Sequence, residues 1–259
     1  LRAFFSNSLI FPEVEASEAW LSYEDVPLKW HYPLGLLYDL YSGAEPFYSD
    51  GPKEEDVVEK GDATEEKKLP WKLTVHFSDY PVEQLVKLDA DGKVLHDLFI
   101  NGVKEADFLR NGTGKTIMSM TKDDSTQLWH GVQDHSFASY HPINQKLLNP
   151  VGTNLRHIPI KLYLPHASSD VPEDQETATG SLRVLQGLVT THVSSRTPQT
   201  VGTALNQMVP SLFPSRRIAM MAQPVLHGAV LPLGAGAEDV LRTGSYLDGW
   251  LHITVVMMA

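Results

Sequence analysis

Cysteine is absent from the 259-residue chain. That excludes disulfides, thiolate metal sites and a cysteine nucleophile able to carry a thioester, and it fits a reducing compartment. Basic residues are scarce: 21 Lys and Arg stand against 32 Asp and Glu, for a formal net charge of −11. The chain as a whole therefore repels phosphate backbones and anionic lipid, so no nucleic-acid partner is expected, and membrane contact calls for a partner or a local patch. Residues 1–16 show no charged leader, apolar core and small-residue cleavage site, so no signal peptide is expected. The sequon Asn111-Gly112-Thr113 is accordingly not expected to carry a glycan. Long apolar runs are missing too. The one uncharged stretch of membrane-span length, Ile218 to Ala237, is interrupted by Gln223, Pro224, His227 and Pro232 and reads as strands and a turn. The chain starts on Leu1 without an initiator methionine, from which a fragment, a processed product or an incomplete gene model is expected.

Chemical motifs are equally sparse. GTGKT (112–116) lacks the glycine that a phosphate-wrapping loop needs five positions before Gly114, where Leu109 stands, and it follows a helical pattern rather than a strand. The 11 histidines form no tight metal spacing, and His130 and His135 fall on different helix faces. There is no GxSxG elbow, and LGAGAED lacks the third glycine and the strand-helix-strand context of a dinucleotide site. Arg216-Arg217 could touch phosphate or lipid, with a structural role near a strand start the preferred reading. No catalytic residue, cofactor or metal site is expected.

What is present is a globular core, with 42% hydrophobic residues, laid out in a recognisable order. AWLSYEDVPLKWHY (19–32) reads as a hairpin around EDVP, and Pro33 opens an apolar helix to about Tyr41. Residues 42–69 carry nine acids against four lysines and read as a solvated insertion. WKLTVHF (71–77) alternates like a half-buried strand. Three helices are predicted at about 93–110, 120–133 and 136–148, with Thr121 and Asp124 at capping-box spacing. HIPIKLYL then puts Ile158, Ile160, Leu162 and Leu164 on one face of a strand. An acidic loop (168–180), the strand LRVLQGLVT, a helix near 201–212, strands around 218–233, a short helix near 238–243 and the strand WLHITVV complete the chain. WKLTVHF and WLHITVV each place tryptophan before a strand centred on Thr-Val, and each follows a hairpin and a short helix. The second half has the element order of a ubiquitin-like β-grasp domain, and the first half has its last five elements. The expected class is α+β: two ubiquitin-like (β-grasp) domains flanking a helix-rich domain, the first lacking its leading strand pair. Leu1–Leu9 reads as the tail of that domain's first helix. The expected domains are 1–83, 93–149 and 154–259.

One residue draws attention. On a wheel of residues 93–110, Leu95, Leu98, Phe99, Gly102, Val103, Ala106 and Leu109 gather on one side, and Lys104 faces away from them. Two readings stay open. Lys104 is an ordinary surface lysine paired with Asp107 or Asp97, worth about 0.2–0.5 kcal/mol; or, because Ile100 and Phe108 flank it one turn to either side, it stands on a surface that another protein covers. An exposed amine is also a substrate for acylation. It attacks only when deprotonated, and free lysine titrates at about 10.4, so a conjugating enzyme would have to activate it.

The run WLSYEDVPLKWHYPLGLLYDL (20–40) closely resembles the autophagy protein 5 family. So do WKLTVHF (71–77), VKEAD (103–107), Gln127-Leu128-Trp129 with Gly131, Ile158-Pro159, His227-Gly228 and Leu251-His252-Ile253. The resemblance spans nearly the whole chain outside the acidic insertions. It implies the same two ubiquitin-like domains around a helical one. It also implies that Lys104, in the KEAD segment, accepts an isopeptide bond from the C-terminal glycine of the ubiquitin-like autophagy protein 12. The conjugate, with autophagy protein 16, would act like a ubiquitin ligase, stimulating autophagy protein 3 to transfer autophagy protein 8 to phosphatidylethanolamine. The chain itself would be no enzyme, and would be cytoplasmic, peripheral through its partners at the preautophagosomal structure and isolation membrane. The alternative is a module that binds partners without covalent modification. The family's leading helix and strand pair are missing here, which puts autophagy protein 16 binding through that helix in question and predicts an incomplete first sheet.

Overall fold

The computed structural model describes residues 15–48, 70–148, 154–165 and 182–258; the reading of Leu1–Leu9 and the acidic loop 168–180 lie outside them. The chain opens with β1 (Trp20–Tyr23) and β2 (Val26–Pro27), joined by Glu24 and Asp25, whose positive φ values of 47° and 65° match the twist of a two-residue hairpin. Pro27 lies on the edge strand, where a missing N–H costs no ladder bond. α1 (Leu34–Tyr41) starts after Pro33, and β3 (Thr74–His76) pairs antiparallel with β1. Among the described residues the first sheet has three strands, in the order β2-β1-β3.

The helical region holds α2 (Lys93–Asn111), a short α3 (Lys115–Met118), α4 (Lys122–Gln133) and α5 (Phe137–Leu147). The sequence reading missed α3, which is too short to carry a period. Thr121 caps α4 as its spacing suggested, its Oγ1 accepting the Asp124 N–H at 3.1 Å. Thr121→Ala should lower stability by about 1 kcal/mol, read as a fall in the urea midpoint at constant m-value.

The second β-grasp unit runs β4 (His157–Pro165), β5 (Leu182–Thr190), a small hairpin of β6 (His192–Ser194) and β7 (Thr197–Pro198), α6 (Val201–Met208), β8 (Ala222–Leu226), β9 (Ala229–Val230), α7 (Ala237–Gly244) and β10 (Leu251–Met257). Its sheet order is β5-β4-β10-β8-β9, with β10 parallel to β4 and antiparallel to β8. The trio β3-β1-β2 repeats β10-β8-β9, so the Trp-Thr-Val repeat is a true structural repeat. β4 is buried on both faces. α6 and α7 contribute Leu205 and Leu241 to the main core, while Leu36 of α1 enters that core from the first unit. A second cluster, including Val103, Ala106, Leu128, Ile143, Leu147 and Trp250, closes the helical region against the strand that follows Trp250.

The front of the expected insertion differs from its reading. Phe47 donates its N–H to Gly228 O and accepts from Val230, and the Tyr48 hydroxyl donates to Gln223 Oε1 at 3.0 Å. The Phe47 backbone therefore bridges the edge of the second sheet while the Phe47 and Tyr48 side chains stay exposed, because the edge of β9 offers unpaired backbone groups. Residues 49–69 lie outside the described set. Among the described residues no helix is long and apolar enough to cross a membrane.

Candidate functional site

α2 is the element that presents Lys104, and both its ends are fixed. The Asp89 carboxylate accepts the Val94 and Lys93 N–H groups at 2.9 and 3.0 Å, and these backbone donors hold its carboxyl below the usual range. At the other end Gly112 adopts φ 70° and returns its N–H to Phe108 O. A Cβ there would collide with the Arg156 side chain. The first glycine of GTGKT thus terminates a helix.

Three contacts pin α2 to the second β-grasp unit. Trp250 Nε1 donates to Gly102 O at 3.0 Å, and Lys161 reaches Glu105 at 3.8 Å while lying 4.1 Å over the Trp250 ring. Arg110, fully buried, spans Leu148 O at 2.6 Å and Gly249 O at 2.8 Å. Burial pulls its guanidinium down to about 10, still charged at neutral pH. Nearby, a buried chain runs from the Tyr163 hydroxyl to His252 Nδ1 (2.7 Å) and from His252 Nε2 to Asp248 (2.8 Å). Burial pushes the Tyr163 hydroxyl far up, so it stays protonated at neutral pH. That chain lies within the second β-grasp unit and ties β4 to β10 and to the turn that precedes it.

Lys104 is exposed and has no ion-pair partner among the described residues. Both partners expected for it are engaged elsewhere. Asp107 is 0% exposed; its oxygens accept Asn111 Nδ2 at 2.7 Å and the Ile117 N–H at 3.2 Å. Asp97 meets His96 at 3.1 Å. The buried face of α2 is Val103, Ala106, Asp107 and Arg110, so the wheel placed Lys104 correctly but took the carboxylate of Asp107 for a surface group. Asp107 instead ties α3 to α2, a role visible only once α3 is there.

The two flanking apolar residues part company. Phe108 is 57% exposed. Ile100 is half-buried and packs on the helical core; it lines a groove of about 420 Å³ between α2, α3 and α4. Ile117, Met120, Leu128 and Trp129 supply the groove's apolar surface, His96, Thr121, Lys122, Ser125 and Thr126 its polar surface, and Lys104 itself is part of the wall. The groove residues other than Lys104 and Ile100 were not legible as a site, since three helices assemble them. Among the described residues no group of three or more His, Asp or Glu is arranged to hold a metal ion.

Comparison with known proteins covers the chain in three pieces. Family models described as autophagy protein ATG5 match it: the UblA domain over residues 1–77, the alpha-helical bundle region over 92–150 and the UblB domain over 157–255. Autophagy protein 5 of Phaeosphaeria nodorum is 59% identical over 259 residues, covering 100% of this chain and 82% of that protein. Autophagy protein 5 of Aspergillus terreus is 49% identical, with 100% and 82% covered. In fold, the chain is similar to the crystal structure of Kluyveromyces marxianus Atg5, with a TM-score of 0.58 at 17% identity, covering 92% of this chain and 72% of that one.

Proposed function

The chain belongs to the autophagy protein 5 family, and from that premise we propose that it is a scaffold acylated on Lys104 by the ubiquitin-like autophagy protein 12. The amine attacks the modifier's thioester carbonyl on a conjugating enzyme. A C–N bond forms as the C–S bond breaks, and the proton lost by nitrogen ends on the released thiol. The reactive cysteine belongs to the conjugating enzyme, since this chain has none. The chain is then substrate and platform rather than enzyme. With autophagy protein 16, the conjugate promotes transfer of autophagy protein 8 to phosphatidylethanolamine by autophagy protein 3. It works in the cytoplasm and, through its partners, at the periphery of the isolation membrane and preautophagosomal structure.

The observation that carries this reading is an exposed amine, without an ion-pair partner among the described residues, in the wall of an apolar groove on a helix locked to the neighbouring domain by Gly102, Glu105 and Arg110. A rigid platform lowers the entropy cost of bringing the amine to the thioester. Reconstitution with the conjugation enzymes, followed by intact-mass analysis and peptide mapping, tests it. A single adduct linked at Lys104 is expected, and a linkage mapped elsewhere refutes the assignment.

A further inference from the structure

We infer that the outer edge of β5 is a docking site for an extended, acidic segment of a partner protein, which adds to the second sheet as a further strand. The sheet has two edges, and the chain treats them differently. β9, two residues long, is bridged by the Phe47 backbone, which engages Gly228 and Val230. β5, nine residues long, ends the sheet on the other side. It runs beside β4 without a break in register, from Leu182 opposite Pro165 to Thr190 opposite His157. An antiparallel strand spends the N–H and C=O groups of alternate residues on one neighbour and turns the others outward. Among the described residues none meets the outward backbone groups of β5. Soluble proteins guard such an edge with proline, lysine, a bulge or a covering segment. Among the described residues β5 shows none of these. Its sequence LRVLQGLVT is uncharged after Arg183, and Val184 (38% exposed) and Leu188 (62%) share an exposed face with Gln186.

Charge selects the occupant. The chain has a net charge of −11, yet the run from Leu182 to Ala237 holds no Asp or Glu, and its cations besides histidine are Arg183, Arg196, Arg216 and Arg217. Arg183 stands at the start of β5, and Arg196 in the turn of the β6–β7 hairpin that follows its end. Both are exposed, and neither has an ion-pair partner among the described residues. Glu105, the carboxylate that reaches the neighbouring strand, is taken up by Lys161. An incoming strand therefore meets backbone groups and apolar side chains along its middle and positive charge at both ends. A second copy of β5 would bring the same arginines and no acid, so it lacks the complementary charge. The segment that fits spans nine residues, like β5 itself, or about 30 Å extended. It carries acids at its ends and β-branched or apolar residues at alternate positions between them. Backbone pairing supplies affinity, while the side chains and end charges supply selectivity.

The test uses the full chain and a capped, fluorescein-labelled nonapeptide with glutamates at both ends and alternating valine and threonine between them. At low salt it should bind saturably by fluorescence anisotropy and slow amide hydrogen exchange across residues 182–190. Proline in place of its central valine removes a ladder donor and should weaken binding about tenfold. Lysines in place of its glutamates should weaken binding about tenfold as well. Arg183→Glu combined with Arg196→Glu should reverse that preference, so that the lysine-ended peptide becomes the tighter ligand. Both arginines are exposed, so the double variant should keep the parent's thermal stability. A preference that survives the reversal overturns the proposal, as does a peptide that binds without protecting β5. Protection gained from phosphatidylserine vesicles and not from the peptide overturns it too. So does a free chain that sediments as a dimer and loses its protection of β5 on dilution. None of these readouts involves Lys104, so the outcome is independent of the acceptor reading.

Discussion

Lys104→Arg should abolish the proposed covalent adduct, with a drop in conjugation rate on the order of a hundredfold or more, and leave the fold unchanged. The substitution is chosen because it removes one property only. Arginine keeps the positive charge and has nearly the same helix propensity, and its guanidinium, with a pKa above about 12, offers no neutral nitrogen to a thioester. Lys104 makes no ion pair among the described residues, so no partner is stranded by the change. Thermal stability should therefore match the parent chain. Lys93→Arg, on the same helix but engaged with Asp91, should conjugate like the parent and controls for general effects of lysine replacement. The measurement is intact mass over a time course. An adduct of undiminished yield on the Lys104→Arg chain would show that another amine accepts the modifier, and Lys122, in the same groove wall, is the first place to map.

The reach and the limits of the sequence reading follow from where each signal resides. Strand β10 and its counterpart β3 were legible because apolar residues alternate with polar ones in the sequence and a tryptophan precedes each, although β10 turns out buried on both faces, His252 and Thr254 included. Helix α4 was legible at its start because a threonine cap acts within four residues of itself. The element order of the second unit, strand by strand, was enough to give its sheet. Asp107 and Arg110 show what such signals omit. Both are ionisable residues on a helix otherwise patterned correctly, and both are fully buried. Apart from Asn111, one turn on from Asp107, their partners lie on α3, at the end of α5 and before β10, where no local rule reveals them. The pairing of the Phe47 backbone with the edge of β9 is of the same kind, for an open sheet edge far along the chain, and no local pattern, sets it. The groove beside Lys104 combines three helices separated by turns, and only its lysine and Ile100 were named from the sequence. Long-range satisfaction of polar groups, not hydrophobic period, decides these places.

That principle has a direct test in Arg110→Ala, which should cost about 3–5 kcal/mol of stability. Two opposing effects set the size. Folding pays to bury the guanidinium, as its downward shift to about 10 records, and truncation relieves that cost. Against this, truncation leaves the Leu148 and Gly249 carbonyls without their donor in a site closed to water, at about 1–3 kcal/mol each, and opens a cavity against Leu148 and Trp250. Breaking the buried contacts outweighs the relief. Lysine cannot repair it, since one ammonium does not reproduce the planar fork that reaches both oxygens, so Arg110→Lys should recover only part of the loss. Both native and unfolded guanidinium stay protonated near neutrality, so the penalty should be flat between pH 6 and 8, about which urea titrations at several pH values would report. Because the two carbonyls belong to the end of α5 and the approach to β10, the same change should loosen α2 from the second β-grasp unit. A lower m-value or a split transition in the variant would register that uncoupling, and conjugation at Lys104 should slow with it. An Arg110→Ala chain within about 1 kcal/mol of the parent would mean that water replaces the guanidinium at both carbonyls, and that Trp250, Lys161 and the Arg156 N–H on the Arg110 carbonyl suffice to hold α2 in place.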